Sequence, residues 1–168
     1  MYMCNGYRGF SGMFGQKERA IARVWGSDDY PNIRGNVRFY DTPMGVMVVA
    51  DITGLPKGEK CKEKIFGFHI HAGHSCTGNA DDSFADTLTH YDMGNCEHPY
   101  HAGDMPSLFG ADGYAFSAFL SNRFTIDEII GKTVVIHDSP DDFSTQPSGN
   151  SGKKIACGEI MGQKNAFS

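Results

Sequence analysis

Two histidines separated by one residue lie in an apolar stretch of the chain, Phe66-Gly-Phe-His-Ile-His71. On an extended strand, successive side chains point to opposite faces of the sheet. His69 and His71 therefore share one face, and the apolar side chains between and before them occupy the other. Two imidazoles held on one strand can bind copper, zinc, iron or nickel. The pair predicts a metal site without naming the metal.

The other histidines strengthen this prediction, because none of the seven precedes residue 69. His137 ends a second apolar stretch. A single polar segment carries three more histidines and one aspartate, namely His90, His98, His101 and Asp104. An isolated histidine is usually an ordinary surface or core residue, and we expect this of His74. Six histidines and an aspartate confined to two strands and one loop instead indicate metal binding.

Short alternating segments are expected to form the β-strands that position these side chains. Within one of them, Val46, Val48, Ala50 and Ile52 fall on a single face. A helical turn is expected between residues 124 and 130. The predicted strands comprise residues 20–25, 34–41, 45–53, 66–71, 113–120, 132–137 and 155–160.

Two long polar segments, 73–108 and 138–153, lack any periodicity. Unstructured segments of this length inside a domain are usually functional or disordered, and the ligand-rich composition of the first favours function. Many short strands, 21 glycines and these two loops predict an all-β fold. We expect an antiparallel Greek-key β-sandwich or flattened barrel of immunoglobulin-like type, with two long functional loops.

A chain of 168 residues is expected to form one domain. We assign residues 1–18 to a flexible N-terminal extension and residues 19–168 to the folded domain. The net charge of −5 and the lack of a basic stripe argue against a nucleic-acid partner. No stretch of about 18 apolar residues is present, which argues against a membrane span. The first residues lack the apolar centre of a secretory signal, which favours a cytoplasmic protein unless a leader is missing from this sequence.

The five cysteines are an odd number, so at least one is unpaired or pairs with another chain. Cys61 and Cys96 both lie in polar segments and could pair with each other. Cys96 could instead contribute to a zinc site, since it lies two residues before His98. Cys4 has no assigned partner. The sequence leaves these alternatives open.

The order of six separated motifs resembles that of the copper/zinc superoxide dismutases. The short step from His71 to Cys76 and the Gln146-Pro147 pair are similar to the bacterial, periplasmic branch. The similarity extends from about residue 19 to residue 162. The motifs are Gly67-Phe-His-Ile-His71, Gly73-His-Ser-Cys76, the His90 and His98 pair, His101-Ala-Gly-Asp-Met-Pro106, Val134-Val-Ile-His137 and Ile155-Ala-Cys-Gly158.

This resemblance implies an oxidoreductase that converts superoxide to dioxygen and hydrogen peroxide, with copper and zinc as cofactors. His90 would bridge the two metals as an imidazolate and would take and return a proton. Asp141 would hydrogen-bond to ligand histidines of both sites. The implied copper ligands are His69, His71, His90 and His137, and the implied zinc ligands are His90, His98, His101 and Asp104.

The resemblance also implies a disulfide between Cys76 and Cys157. Closing a loop of about 80 residues would stabilise the fold by roughly 4 kcal/mol in the chain-entropy model. The alternative is two buried thiols, because cytosolic proteins normally keep their cysteines reduced. The family branch is periplasmic, whereas the sequence lacks a secretory signal, so the compartment is left open.

The chain departs from the family pattern near the copper site. Lys154 occupies the position of an arginine, three residues before Cys157, that binds the anionic substrate. Lysine keeps the positive charge but lacks the planar, multi-donor guanidinium, so we expect reduced efficiency. Ser148 would line the substrate channel together with Lys154. The spacing of three residues between His98 and His101 shortens the zinc loop and leaves the zinc affinity open.

The alternative function is that of a copper/zinc-binding or metal-buffering protein of the same fold with little turnover, because a fold does not guarantee a function. A zinc hydrolase is disfavoured, since four protein ligands close the zinc site. The expected partner is the superoxide anion. The resemblance also allows a homodimer and a copper donor.

Overall fold

The computed structural model describes residues 17–59, 61–62 and 64–163. Most of the predicted N-terminal extension, residues 1–16, lies outside this range, and Glu18 already begins the first strand. The strands are β1 (Glu18–Gly26), β2 (Arg34–Thr42), β3 (Gly45–Thr53), β4 (Ile65–Phe66), β5 (Phe68–His71), β6 (Leu108–Phe109), β7 (Tyr114–Ser121), β8 (Thr133–His137) and β9 (Lys154–Gly162).

The predicted all-β fold is confirmed. Seven strands form one antiparallel sheet in the order β5-β8-β9-β1-β2-β3-β7, and β4 pairs with β6. Strands distant in sequence, such as β1 and β9 or β3 and β7, are neighbours, as expected for Greek-key crossovers. Gly67 separates β4 from β5, so one segment of chain pairs with β6 at one end and with β8 at the other. The sheet thereby curls into a flattened barrel.

The strand boundaries agree with the alternating patterns to within about two residues, except around Gly67, where one predicted strand is divided. The expected helical turn is α1 (Ile126–Ile129), which begins where the Thr125 backbone N–H donates to the Glu128 carboxylate at 2.7 Å. The two-residue strand β6 was missed, because a pair of residues is too short to show periodicity. Among the described residues, no helix is long and apolar enough to cross a membrane.

The core fills the interior of the curled sheet. The predicted inward face of β3 is confirmed, since Val46, Val48, Ala50 and Ile52 are all buried. A second, smaller apolar cluster lies beneath the first long loop. It contains the disulfide Cys76–Cys157, with a Cα–Cα distance of 5.7 Å, together with Phe84 and Val135.

Both faces of β5 are buried, although only one of them belongs to the apolar core. Phe68 and Ile70 point into the core. His69 and His71 lie on the opposite face, which the long loops cover. The loops also bond to the strand itself, since the Ile70 backbone N–H donates to Gly103 and the Tyr91 N–H donates to the Ile70 carbonyl. The histidine face of β5 therefore lies in a polar interior, shielded from solvent.

We expect removal of the disulfide to lower stability while leaving the fold intact. Replacing both Cys76 and Cys157 by serine should lower the free energy of unfolding of the metal-free protein by about 4 kcal/mol, because the unfolded chain regains the freedom of a long loop. Urea unfolding measures the change. Cys61→Ser, which alters an exposed free thiol, is the control. Equal stability of the double variant and the control would contradict the prediction.

Candidate metal centre

The first long loop and two strands bring all the predicted ligand residues together. His69 and His71 come from β5, and His137 comes from the end of β8, where antiparallel pairing places it close to them. The loop residues approach the free edge of β5 through isolated bridges that pair His69 with Asp104 and His71 with His90. Backbone pairing therefore delivers the loop ligands to the histidine face of the strand.

These side chains form two groups that share His90. Within each group, the potential ligand atoms lie within 4.8 Å of one another. The side chains of His69 and His98 are fully shielded from solvent, and that of Asp104 is 4% exposed. The first group contains His69, His71, His90 and His137, and the second contains His90, His98, His101 and Asp104.

The hydrogen bonds of the first group determine which ring nitrogens face inward. His71 donates from Nδ1 to the Leu88 carbonyl at 2.9 Å, and His137 donates from Nδ1 to the Gly152 carbonyl at 3.3 Å. A neutral imidazole that donates from one nitrogen carries a lone pair on the other. The two Nε2 atoms, 3.3 Å apart, thus direct lone pairs at a common point. That arrangement fits a shared cation.

The buried carboxylate of Asp141 connects the two groups, as the resemblance implied. It accepts hydrogen bonds from His69 Nε2 at 2.7 Å and from His98 Nε2 at 2.8 Å. The Phe143 backbone N–H also donates to it, at 2.7 Å. Carboxylate contacts of this kind orient ligand histidines and fix their tautomers. His69 and His98 are therefore left with Nδ1 as the nitrogen available to a metal.

Asp104 is the centre of the second group. Its oxygens lie 2.7 Å from His90 Nδ1, 3.1 Å from His98 Nδ1 and 3.2 Å from His101 Nδ1. Three nitrogens converging on one carboxylate match a tetrahedral His₃Asp zinc site. The opposite nitrogen of His90, Nε2, is buried and faces away from this carboxylate.

Four of the inward nitrogens make no hydrogen bond within the described part of the chain, namely His69 Nδ1, His90 Nε2, His98 Nδ1 and His101 Nδ1. A buried polar atom without a hydrogen-bond partner is unusual in a folded protein and indicates a place for an ion or a water molecule. All four belong to the two groups. The donor set consequently fits two metal ions that share the His90 ring.

Burial keeps His69, His71 and His137 of the first group neutral at physiological pH. It lowers the pKa of His69 to about 4 and that of His137 to about 3, and it holds the pKa of His71 well below its usual value. Burial alone would raise the pKa of Asp141, but hydrogen bonds from His69 and the Phe143 backbone outweigh it and lower that pKa to about 2. Neutral imidazoles and ionised carboxylates are the forms that bind metals.

The segment from His98 to His101 is supported by two side chains that sequence reasoning did not assign to the site. Gln146 accepts the His98 backbone N–H at 3.0 Å and donates to the His98 carbonyl at 2.7 Å. Arg123 donates to the carbonyls of Pro99 at 2.8 Å and His101 at 3.4 Å. These contacts hold the backbone of His98, Pro99 and His101, in the segment that supplies two residues of the second group. The Gln146-Pro147 motif was the only signal in the sequence for either residue.

Lys154, expected to face the substrate, is hydrogen-bonded and ion-paired. Its Nζ lies 2.8 Å from a carboxylate oxygen of Asp82 and 3.1 Å from the Phe84 carbonyl. Ser148, the other expected channel residue, is partly buried, and its carbonyl accepts the Ser151 hydroxyl at 3.0 Å. The sequence offered no signal for the Asp82 contact.

The remaining cysteines and His74 lie outside both groups. Cys61 and Cys96 are free and exposed, so neither the pairing between them nor the zinc-ligand alternative for Cys96 is realised. Cys4 lies outside the described residues. His74 is exposed and donates from Nδ1 to the Gly131 carbonyl at 2.7 Å, in agreement with its expected exclusion from the metal groups.

Comparison with known proteins gives a consistent result. The family model for copper/zinc superoxide dismutase (SODC) matches residues 33–160. A superoxide dismutase [Cu-Zn] from Legionella pneumophila is 32% identical over 147 residues, covering 83% of this chain and 85% of that protein. The enzyme of the same name from Escherichia coli K12 is 34% identical over 140 residues, covering 75% and 78%. The structure of the Cu/Zn superoxide dismutase from Brucella abortus has a TM-score of 0.70 at 25% identity, covering 83% of this chain and 98% of that one.

A flattened antiparallel barrel carrying two ligand groups with a common histidine defines a metalloprotein built for two adjacent ions. The matched residues include every member of both groups. The chain belongs to the copper/zinc superoxide dismutase family of oxidoreductases, whose cofactors are copper and zinc. The resemblance to bacterial members is confirmed.

We expect Asp141→Asn to weaken metal binding in at least one of the two groups. An amide can accept from only one of the two histidines and presents an N–H group to the other, so one ligand ring loses its orientation. Loss of such a partner typically lowers metal affinity about 10- to 100-fold. Competition with a chelator measures the affinity for zinc and copper. Asp127→Asn, which removes an exposed carboxylate paired with Arg19, is the matched control and should leave both affinities unchanged. Equal affinities in the two variants would contradict the prediction.

Proposed function

We propose that this protein disproportionates superoxide at a copper ion bound by the first ligand group, with zinc bound by the second. Two superoxide anions and two protons yield one dioxygen and one hydrogen peroxide. Copper, when bound, supplies the one-electron chemistry that oxidises one superoxide and reduces the next. The observation that carries the proposal is the position of His90 in both groups, between Asp104 on one side and the nitrogens of the first group on the other.

His90 is suited to hold a proton at one particular atom. Its Nδ1 lies 2.7 Å from the Asp104 carboxylate and faces the second ligand group, which is proposed to bind zinc. Its Nε2 is buried and has no hydrogen-bond partner among the described residues. It faces the first ligand group, which is proposed to bind copper. Since Nδ1 is engaged, Nε2 is the ring position that can take up a proton and return it during the cycle. Asp141 holds the neighbouring His69 and His98 rings in place meanwhile.

Lys154 is the residue proposed to attract the substrate. It pairs with His137 in the β8–β9 register, which places its backbone beside a copper-type ligand. The net charge of −5 does not favour an anion, so attraction has to come from local positive charge. An ammonium group has three N–H donors, whereas a guanidinium has five in a planar fork. We therefore propose lower efficiency than with arginine at this position, and a channel bordered by Ser148.

The Cys76–Cys157 disulfide supports an oxidising compartment for the protein, because such bonds persist mainly outside the cytosol. A second copy of the chain and a copper donor are further proposed partners. Family membership is the support for both proposals.

Lys154→Arg should raise kcat/KM for superoxide, because the guanidinium adds donors and matches small anions better than an ammonium. We expect an increase of about 2- to 10-fold at low ionic strength. Stopped-flow decay of superoxide, normalised to copper content, measures the rate. The matched control is Lys153→Arg, an exposed neighbour whose replacement should change nothing. A rate that is unchanged or lower in Lys154→Arg would contradict the reduced-efficiency proposal.

His137→Ala should abolish turnover and copper binding but preserve zinc binding, since His137 belongs only to the first group. Metal analysis of the loaded protein gives the two stoichiometries. His74→Ala is the control, because His74 lies outside both groups. The alternative function, metal binding without catalysis, predicts bound copper and zinc with negligible turnover in the unaltered protein and in Lys154→Arg. That result would reject the enzymatic proposal.

A further inference from the structure

Asp82, a residue of the first long loop, contacts the ammonium group of Lys154. The Asp82 carboxylate oxygen Oδ2 lies 2.8 Å from Nζ, and the neighbouring Phe84 carbonyl lies 3.1 Å from it. The Lys154 side chain is only 15% exposed, and that of Asp82 is 39% exposed. Partial burial of the lysine reduces screening by water, so this pair is less weakened than a fully exposed one.

The loop holds the Asp82 carboxylate in place. Its other oxygen, Oδ1, accepts the Phe84 backbone N–H at 2.9 Å. The Asp82 carbonyl accepts the N–H groups of Asn79 and Ala85, which closes the turn on both sides. Phe84 packs with the disulfide in the small apolar cluster and so attaches the loop to β9. The loop therefore holds the Asp82 carboxylate in a fixed position beside Lys154.

Lys154 lies beside the first ligand group. Lys154 and His137 are register partners in the β8–β9 pair, so their backbones are adjacent. A change in the effective charge of the lysine therefore occurs next to a proposed copper ligand and to any anion that binds beside it.

The number of donors on Lys154 limits what it can offer an anion. An ammonium group has three N–H donors, and Asp82 and Phe84 each accept from this one. One donor is left for the substrate, and the adjacent carboxylate opposes the attraction of an anion by the ammonium group. A carboxylate beside an anion-binding cation competes directly with the anion.

We propose that Asp82 is a positioning residue that holds the Lys154 ammonium against the loop and lowers the affinity of the copper site for small anions. The inference rests on the proposed function, in that Lys154 is taken to face the substrate. Asp82 thereby sets how strongly the site attracts superoxide. Replacing the lysine by arginine would add donors, whereas neutralising Asp82 would release the donor already present.

The experiment compares Asp82→Asn with Asp81→Asn in protein loaded with copper and zinc. Both substitutions remove one negative charge from adjacent positions, but Asp81 is exposed, and Asp82 is the carboxylate that pairs with Lys154 among the described residues. Asparagine at position 82 can still accept the Phe84 N–H through its oxygen. Asp82→Ser, which retains an acceptor, is a second neutral variant.

The first readout is the dissociation constant of azide, a small anion, measured from the visible absorption of the copper-loaded protein without turnover. We expect azide to bind about threefold more tightly in Asp82→Asn and to be almost unaffected in Asp81→Asn. The second readout is kcat/KM for superoxide, which should rise by a similar factor at low ionic strength. Salt at about 0.5 M should reduce this difference.

A Lys154→Ala background tests whether Asp82 acts through the lysine. There, Asp82→Asn should no longer change azide affinity, as expected for coupled residues in a double-mutant cycle. The inference is overturned if Asp81→Asn has an equal effect, if the effect persists without Lys154, or if azide binds more weakly in Asp82→Asn. Since azide binding needs no catalysis, an inactive protein with the expected azide shifts would reject the proposed function and retain this inference.

Discussion

The carboxylate of Asp141, buried between His69 and His98, is the contact on which the arrangement of both ligand groups depends. It accepts from one ring of each group, so neither histidine can turn without disturbing the other site. The position of Gly149 shows how closely the second loop packs here, because a Cβ at that residue would collide with the Asp141 carboxylate and the His98 ring. Its φ of +67° is also a conformation that glycine adopts readily. The second loop is in this way part of both metal sites, although it supplies no ligand.

Around this contact, the protein places polar side chains in an interior that is separate from the apolar core. One face of β5 packs in the barrel, and the other is closed by loops that are held by the disulfide, Gln146 and Arg123. Burial makes protonation of the histidines unfavourable, and the lowered pKa values of His69 and His137 are the result. The same burial leaves four ring nitrogens without a hydrogen-bond partner in the described part of the chain, and a metal ion can bind them. Stability and ligand chemistry are consequently coupled in this half of the molecule.

The loop that covers the site also restrains the residue proposed to bind the substrate. Lys154 connects β9 to the loop through Asp82 and Phe84, close to the disulfide that makes the same connection covalently. A lysine has few donors, so each donor used to hold the loop is unavailable to an anion. An arginine at this position could serve both purposes, because a guanidinium carries more N–H donors than an ammonium group. Under the proposed function, loop anchoring and substrate attraction therefore compete at one ammonium group.

The sequence by itself predicted the longer strands, the all-β class and the candidate ligand residues that the fold brings together. Alternation with a period of two is a property of neighbouring residues, so it can be read without the fold, and the i, i+2 histidines follow from it. The disulfide partners and Asp141 required the family resemblance. Tertiary structure alone decided which ring nitrogens face inward and that Cys61 and Cys96 are free. It also decided that Asp82 forms an ion pair with Lys154. The Asp82–Lys154 contact joins residues 72 positions apart, and the Gln146–His98 contact joins residues 48 apart. Such contacts depend on the path of two long loops, for which no local periodicity exists.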